Sequence, residues 1–152
     1  MSIFKQVEQF NNTAGVQYEL EQGLLKYKDF VNRNAYLKEE QSEYMTAYLH
    51  KNREEVLDAL TDMMYIIAGT AERMFGAEVC EEAFKRVHEN NMNKFPETFE
   101  EALFSRESYF QQGVDVSISQ AGGGRWKIVE VGSNKVKKPV GFKAVELGDL
   151  VK

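Results

Sequence analysis

Hydrophobic positions recur at helical spacing along most of the chain and alternate only after Gly113. Ile3, Phe4, Val7 and Phe10 predict a short amphipathic helix over residues 3–10, with a break at 11–15. Residues 16–27 set Leu20, Leu24 and Leu25 among polar neighbours and include Gly23, which reads as a loop or an irregular helix. Phe30, Leu37, Tyr44, Ala47 and Tyr48 predict a long helix from Asp29 to about His50. A polar turn at 51–53 joins it to a second long helix ending at Gly76, so the two should form an antiparallel hairpin. In this second helix Val56, Leu57, Leu60, Met63, Met64, Ile66, Ile67, Ala68, Ala71, Met74 and Phe75 run nearly all the way round the wheel. That pattern predicts burial on every side. Val79, Ala83, Phe84 and Val87 mark a further helix over 78–90, stopped by Pro96. Thr98 with Glu101 forms a capping-box pattern that opens a helix to about Phe110. Val114, Val116 and Ile118 then alternate with polar residues, a Gly-rich turn follows at 121–124, and residues 125–131 supply the second arm of a β-hairpin. The expected fold is mainly α, an antiparallel helical bundle with a small C-terminal β-hairpin. The whole chain is read as a single domain, with a helical core over 1–95 and the extra helix, hairpin and tail over 96–152.

Acids interrupt this pattern where a core helix should have none. Glu55, Asp58 and Asp62 lie on one stripe of the apolar helix, continued by Tyr65 and Gly69. The preceding helix carries Glu39, Glu40 and Glu43, whose spacings of three and four place carboxylates on one face. The hairpin can bring Glu40 and Glu43 opposite Asp58 and Asp62. Four or more facing carboxylates coexist only with a divalent cation or with several protons.

Charge and composition narrow the chemistry. A net charge of -5 over 152 residues argues against general nucleic-acid binding, which uses a basic face, but leaves room for a nucleotide carried by cations. The one cysteine, Cys80, excludes an internal disulfide and suits a reducing compartment. No signal-peptide pattern opens the sequence, and Asp58, Thr61, Asp62, Thr70, Glu72 and Arg73 break up the apolar run, so no membrane association is expected. The expected location is cytoplasmic.

Glu-Glu-x-x-Glu at 39–43, the run from Glu55 through Asp58, Asp62 and Tyr65 to Gly69, and Val87-His88-Glu89-Asn90-Asn91-Met92-Asn93-Lys94 together resemble the all-α nucleoside triphosphate pyrophosphohydrolases. That superfamily includes the MazG proteins, the dimeric dUTPases and the phosphoribosyl-ATP pyrophosphohydrolases. The nearest likeness is to the small phosphoribosyl-ATP-pyrophosphohydrolase-like proteins often found in bacteriophages and bacteria. The resemblance is good over about 33–94 and loose over 132–147, where Gly132 to Pro139 resembles a Gly-Lys-x-x-Lys stretch. Residues 98–125 look like an insertion.

The resemblance implies hydrolysis of a nucleoside triphosphate between its α- and β-phosphates with magnesium, or alternatively manganese, as cofactor. It implies a metal shell of Glu40, Glu43, Asp58 and Asp62 with Glu55 close behind, and Glu39 or Glu40 as the base that orients the attacking water. Which of Glu55, Asp58 and Asp62 touches metal directly stays open. Asn91 and Lys94 are expected to bind the nucleotide, unless they are a plain helix end. Tyr65 either lines the base or sugar pocket or packs in the core. A homodimer or a dimer of dimers is expected. The alternatives are a non-catalytic nucleotide-binding or helical interaction protein of the same fold, or a phosphoribosyl-ATP pyrophosphohydrolase.

Overall fold

A computed structural model of the chain describes residues 1–15 and 17–151. Helix α1 (Ile3–Thr13) starts where the Ser2 hydroxyl accepts the Lys5 N–H, a standard N-cap. Two short strands follow, β1 (Leu20–Glu21) and β2 (Leu24–Leu25), paired antiparallel with Leu20 opposite Leu25. This corrects the loop or irregular helix expected over 16–27, of which Val16 lies outside the described residues. The reason is the Gln22–Gly23 turn, with φ of 53° and 78°. Two consecutive left-handed residues match the twist of a two-residue hairpin and break any helix.

Helices α2 (Tyr27–Leu49) and α3 (Arg53–Phe75) form the expected hairpin. Lys51, at φ 55°, reverses the chain, the Asn52 N–H donates to the Ala47 carbonyl, and the Asn52 side chain caps α3 through the Glu55 N–H. Far from the turn, Arg33 donates to the Ile66 carbonyl at 2.6 Å and to the Thr70 hydroxyl at 2.9 Å. A residue near the start of α2 thus meets one near the end of α3, so the helices run antiparallel. Gly69 leaves room for this clamp: a Cβ there would sit 3.2 Å from the Arg33 guanidinium, which would have to shift by a few tenths of an ångström. Gly76, at φ 79°, ends α3, its N–H donating to the Glu72 carbonyl.

The chain separates into two compact units, Met1–Ala83 (with Val151) and Phe84–Leu150, with the break inside α4 (Ala77–Met92). In the first, α1 lies on α3 through buried Val7, and Asn11 donates to the buried Glu72 carboxylate at 2.7 Å. The other buried apolar residues include Ala47, Ala59, Ala68, Ala77 and Cys80, so this core is built mostly from small side chains that let helices approach closely.

Helix α3 is covered on only part of its surface within the single chain. Within the single chain Leu57, Met64 and Ile67 are 67%, 54% and 56% exposed. In this unit α1 and α2 cover only part of the helix, and an apolar wheel records hydrophobicity without saying what covers each side.

In the second unit α5 (Phe99–Gln111) opens on the full capping box of Thr98 and Glu101. Strands β3 (Val116–Gln120) and β4 (Trp126–Glu130) pair antiparallel, with Ile118 opposite Ile128. Ala102, Val116 and Ile128 form the core, flanked by Tyr109, Val114, Ile118 and Trp126. The following segment is stitched on by hydrogen bonds: Lys137 N–H to the Ile128 carbonyl, Val140 N–H to the buried Ser105 hydroxyl, and the Tyr109 hydroxyl to the Lys138 carbonyl. Lys152, the last residue of the expected tail, lies outside the described residues. No helix among them is long and apolar enough to cross a membrane.

Candidate metal-binding and phosphate-binding residues

The α2–α3 hairpin brings the two acidic elements together. Glu40 projects from the middle of α2, partly buried, while Glu39, Glu43, Asp58 and Asp62 are exposed. The Glu40 carboxyl is held above its ordinary value of 4.5, first because burial disfavours its charged form. The charges of Glu43, Asp62, Glu39 and Asp58 then add to the effect, in that order. Carboxylates of both helices therefore bear on one group. Glu55 stands nearer the turn and shares with Glu43 a shallow groove lined also by Ser42, Thr46, Ala47, His50 and Asn52.

These six acids differ from most others in the chain. Among the described residues none of them forms an ion pair or accepts a side-chain hydrogen bond, whereas Glu8 and Glu19 in the same unit each lie within 4 Å of a lysine. The donor set suits a hard divalent cation, which prefers carboxylate oxygen and supplies the missing counter-charge. Among the described residues no three Asp, Glu, His or Cys side chains are gathered tightly enough to form a metal site as they stand. A cation held here would draw in exposed side chains that are free to turn.

Tyr65 and Gly69, which continue the acidic stripe, both have packing partners. The Tyr65 ring meets Phe10 of α1 edge to face at 5.8 Å, and Gly69 lies under Arg33. Asn91 and Lys94 belong to the second unit, at the end of α4 and just past it. The Lys94 ammonium donates to the Asn91 amide oxygen at 2.7 Å, so the two side chains form one polar group. Burial raises the Cys80 thiol, which keeps it protonated and a poor nucleophile.

Two arrangements have no counterpart in the sequence reading. Arg33 clamps the open end of the hairpin, and Glu72 is buried against Asn11 with the Arg73 guanidinium 3.8 Å away. An acid at the end of an apolar helix hints at a buried partner, but nothing in local spacing points to Asn11, which lies 61 residues away in sequence.

The model of one family, described as phosphoribosyl-ATP pyrophosphohydrolase, matches residues 19–91. No curated protein and no solved structure gives a significant match. The matched stretch takes in the β1–β2 hairpin, the whole α2–α3 hairpin with the six unpaired acids named above, and α4 as far as Asn91. Enzymes of this family are pyrophosphohydrolases and generally depend on a divalent metal. Over residues 19–91, then, the chain matches the phosphoribosyl-ATP pyrophosphohydrolase family, and the match supports a hydrolase of phosphoric anhydrides with a pyrophosphohydrolase-like activity on nucleotides.

Proposed function

We propose that the protein is a magnesium-dependent nucleoside triphosphate pyrophosphohydrolase, cleaving a ribo- or deoxyribonucleoside triphosphate to the monophosphate and pyrophosphate. The observation that carries this reading is the set of unpaired carboxylates around Glu40, whose own carboxyl is raised first by burial and then by the charges of Glu43, Asp62, Glu39 and Asp58. Glu40, Glu43, Asp58 and Asp62 would hold the metal, with Glu55 beside them; manganese fits the same oxygens. When bound, the cation offsets triphosphate charge and lowers the pKa of a water.

The remaining work falls to the chain's own groups. Glu39, exposed on α2, orients the attacking water and takes its proton; Glu40, whose carboxyl is raised by burial and by its neighbours, is the second candidate for that role. Attack of the water oxygen on phosphorus breaks the α–β bridging P–O bond, and pyrophosphate leaves with the bonding electron pair. Lys94 contacts phosphate as a point charge and Asn91 donates a hydrogen bond to the nucleotide. Tyr65 borders the nucleotide if its ring can leave Phe10. A second copy of the chain covers the exposed face of α3 bearing Leu57, Met64 and Ile67. Beside it, Tyr48, Leu49, Val56, Leu57 and Leu60 line a wide apolar groove of about 1090 Å³.

The test is incubation of the folded protein and magnesium with each ribo- and deoxyribonucleoside triphosphate, and with phosphoribosyl-ATP, scored for pyrophosphate. Release from a triphosphate, abolished in Asp62→Asn, is the expected result. Pyrophosphate from phosphoribosyl-ATP alone would replace the proposed substrate, and none from any of them would overturn the reading.

A further inference from the structure

The segment 98–125, which the family resemblance leaves without a role, ends on a residue that reaches back to α4. Arg125 donates through Nη1 to the carbonyl oxygens of Met92 at 3.1 Å and Phe95 at 3.4 Å, and through Nη2 to the Glu97 carboxylate at 3.1 Å. Met92 is the last residue of α4; its carbonyl also accepts the Phe95 N–H at 3.0 Å and lies at the negative end of the helix dipole. The guanidinium therefore caps this helix from outside. Lys94 lies in sequence between the two carbonyls that share one guanidinium nitrogen. The neighbouring residue completes the attachment: the Trp126 N–H donates to the Pro96 carbonyl at 2.9 Å, and its ring lies 4.8 Å from that of Phe99.

We infer that Arg125 is a positioning residue for substrate binding. It fixes the backbone from Met92 to Glu97, so that the Lys94 ammonium and the Asn91 amide are presented to the phosphates in one orientation. A planar fork spans two carbonyls and a carboxylate at once, whereas a lysine satisfies fewer of them from a single point. The extra helix and hairpin gain a function by this route, because they carry Arg125 and Trp126 to the end of α4. The inference rests on the assignment of Lys94 to phosphate.

The experiment measures the Kd of a non-hydrolysable α,β-methylene nucleoside triphosphate with magnesium, alongside kcat and KM, for Lys94→Ala, Arg125→Ala, Arg125→Lys and the double variant Lys94→Ala/Arg125→Ala. Removing the Lys94 charge should weaken binding roughly tenfold. Arg125→Ala should weaken it several-fold, raising KM more than it lowers kcat, and Arg125→Lys should fall between that and the parent. The double variant should bind no worse than Lys94→Ala within about twofold, because Arg125 acts through Lys94. An unchanged Kd in folded Arg125→Ala, or losses that multiply in the double variant, would overturn the inference while leaving the Lys94 assignment in place. If Arg125→Ala does not fold, Arg125→Lys decides: a weakened Kd at parental thermal stability supports the role, and an unchanged one overturns it. If Lys94→Ala itself binds like the parent, the assignment of Lys94 fails and the inference with it.

Discussion

Glu97, Glu130 and Asp149 each lie within 4 Å of an arginine or lysine, and Glu101 closes the capping box of α5. Glu39, Glu40, Glu43, Glu55, Asp58 and Asp62 have no such partner among the described residues. These four acids of the C-terminal unit thus hold a small fold together, while the six carboxylates on the α2–α3 hairpin are left unpaired. Exposed ion pairs contribute little each, so the first pattern matters mainly for fixing segments in place. Like charges concentrated on one hairpin work against folding, so the second pattern makes physical sense when something arrives to neutralise it.

The contrast can be broken most directly with metal. Magnesium at a hundred times its Kd should stabilise the folded protein by about 2.7 kcal/mol, read as a rise in thermal midpoint reversed by a chelator. Replacing Glu40, Asp58 and Asp62 together by their amides should remove that response. A metal-induced rise that survives the triple change would place the cation elsewhere.

Next in size is the open apolar face of α3. Leu57→Asp with Ile67→Asp should shift the protein to a monomer by light scattering, without the loss of helix seen by circular dichroism that a core change brings. A parent already monomeric at micromolar concentration would remove the second copy from the proposal.

A smaller effect sharpens the electrostatic half of the contrast. Because the Glu40 carboxyl is raised in the folded state, the unfolded chain releases its proton first as pH climbs past the ordinary 4.5. The folded state then binds more protons than the unfolded one, and stability falls with rising pH through that window. Glu40→Gln should therefore be the more stable protein without metal above the window, its advantage disappearing toward acid pH. Denaturant titrations of both proteins across pH 4 to 8 measure it, and an advantage independent of pH would contradict the assigned cause.

Smallest is a change in the other unit. Thr98→Ala removes one cap, should cost about 1 kcal/mol, and should leave the magnesium response of the hairpin untouched.

Much of this was legible in the sequence because it depends on short-range chemistry. The polar turn before α3, its end at Gly76, the Thr98–Glu101 box and the alternating arms of β3 and β4 are all written in spacing and cap residues. The facing of Glu40 and Asp62 was legible too, since a three-residue turn between two long helices fixes their register. The β1–β2 hairpin was missed because it has two residues per strand and turns on Gln22, a residue type seldom left-handed. What covers each side of α3 was not legible, because hydrophobicity does not name its cover. Arg33 over Gly69, and Glu72 against Asn11, are tertiary pairings for which local pattern holds no signal.

The Arg33 clamp has one more consequence. It fastens the α2–α3 hairpin at its open end, as the Lys51 turn fastens it at the other, and the acids sit between these two fixed points. Helices tied at both ends cannot splay to relieve repulsion in the middle. The acids are therefore carried on two helices whose spacing is set from both ends. A cation held as proposed would meet carboxylates already carried close together, so loosening the clamp by Arg33→Ala should weaken metal binding although Arg33 carries the same sign of charge as the ion.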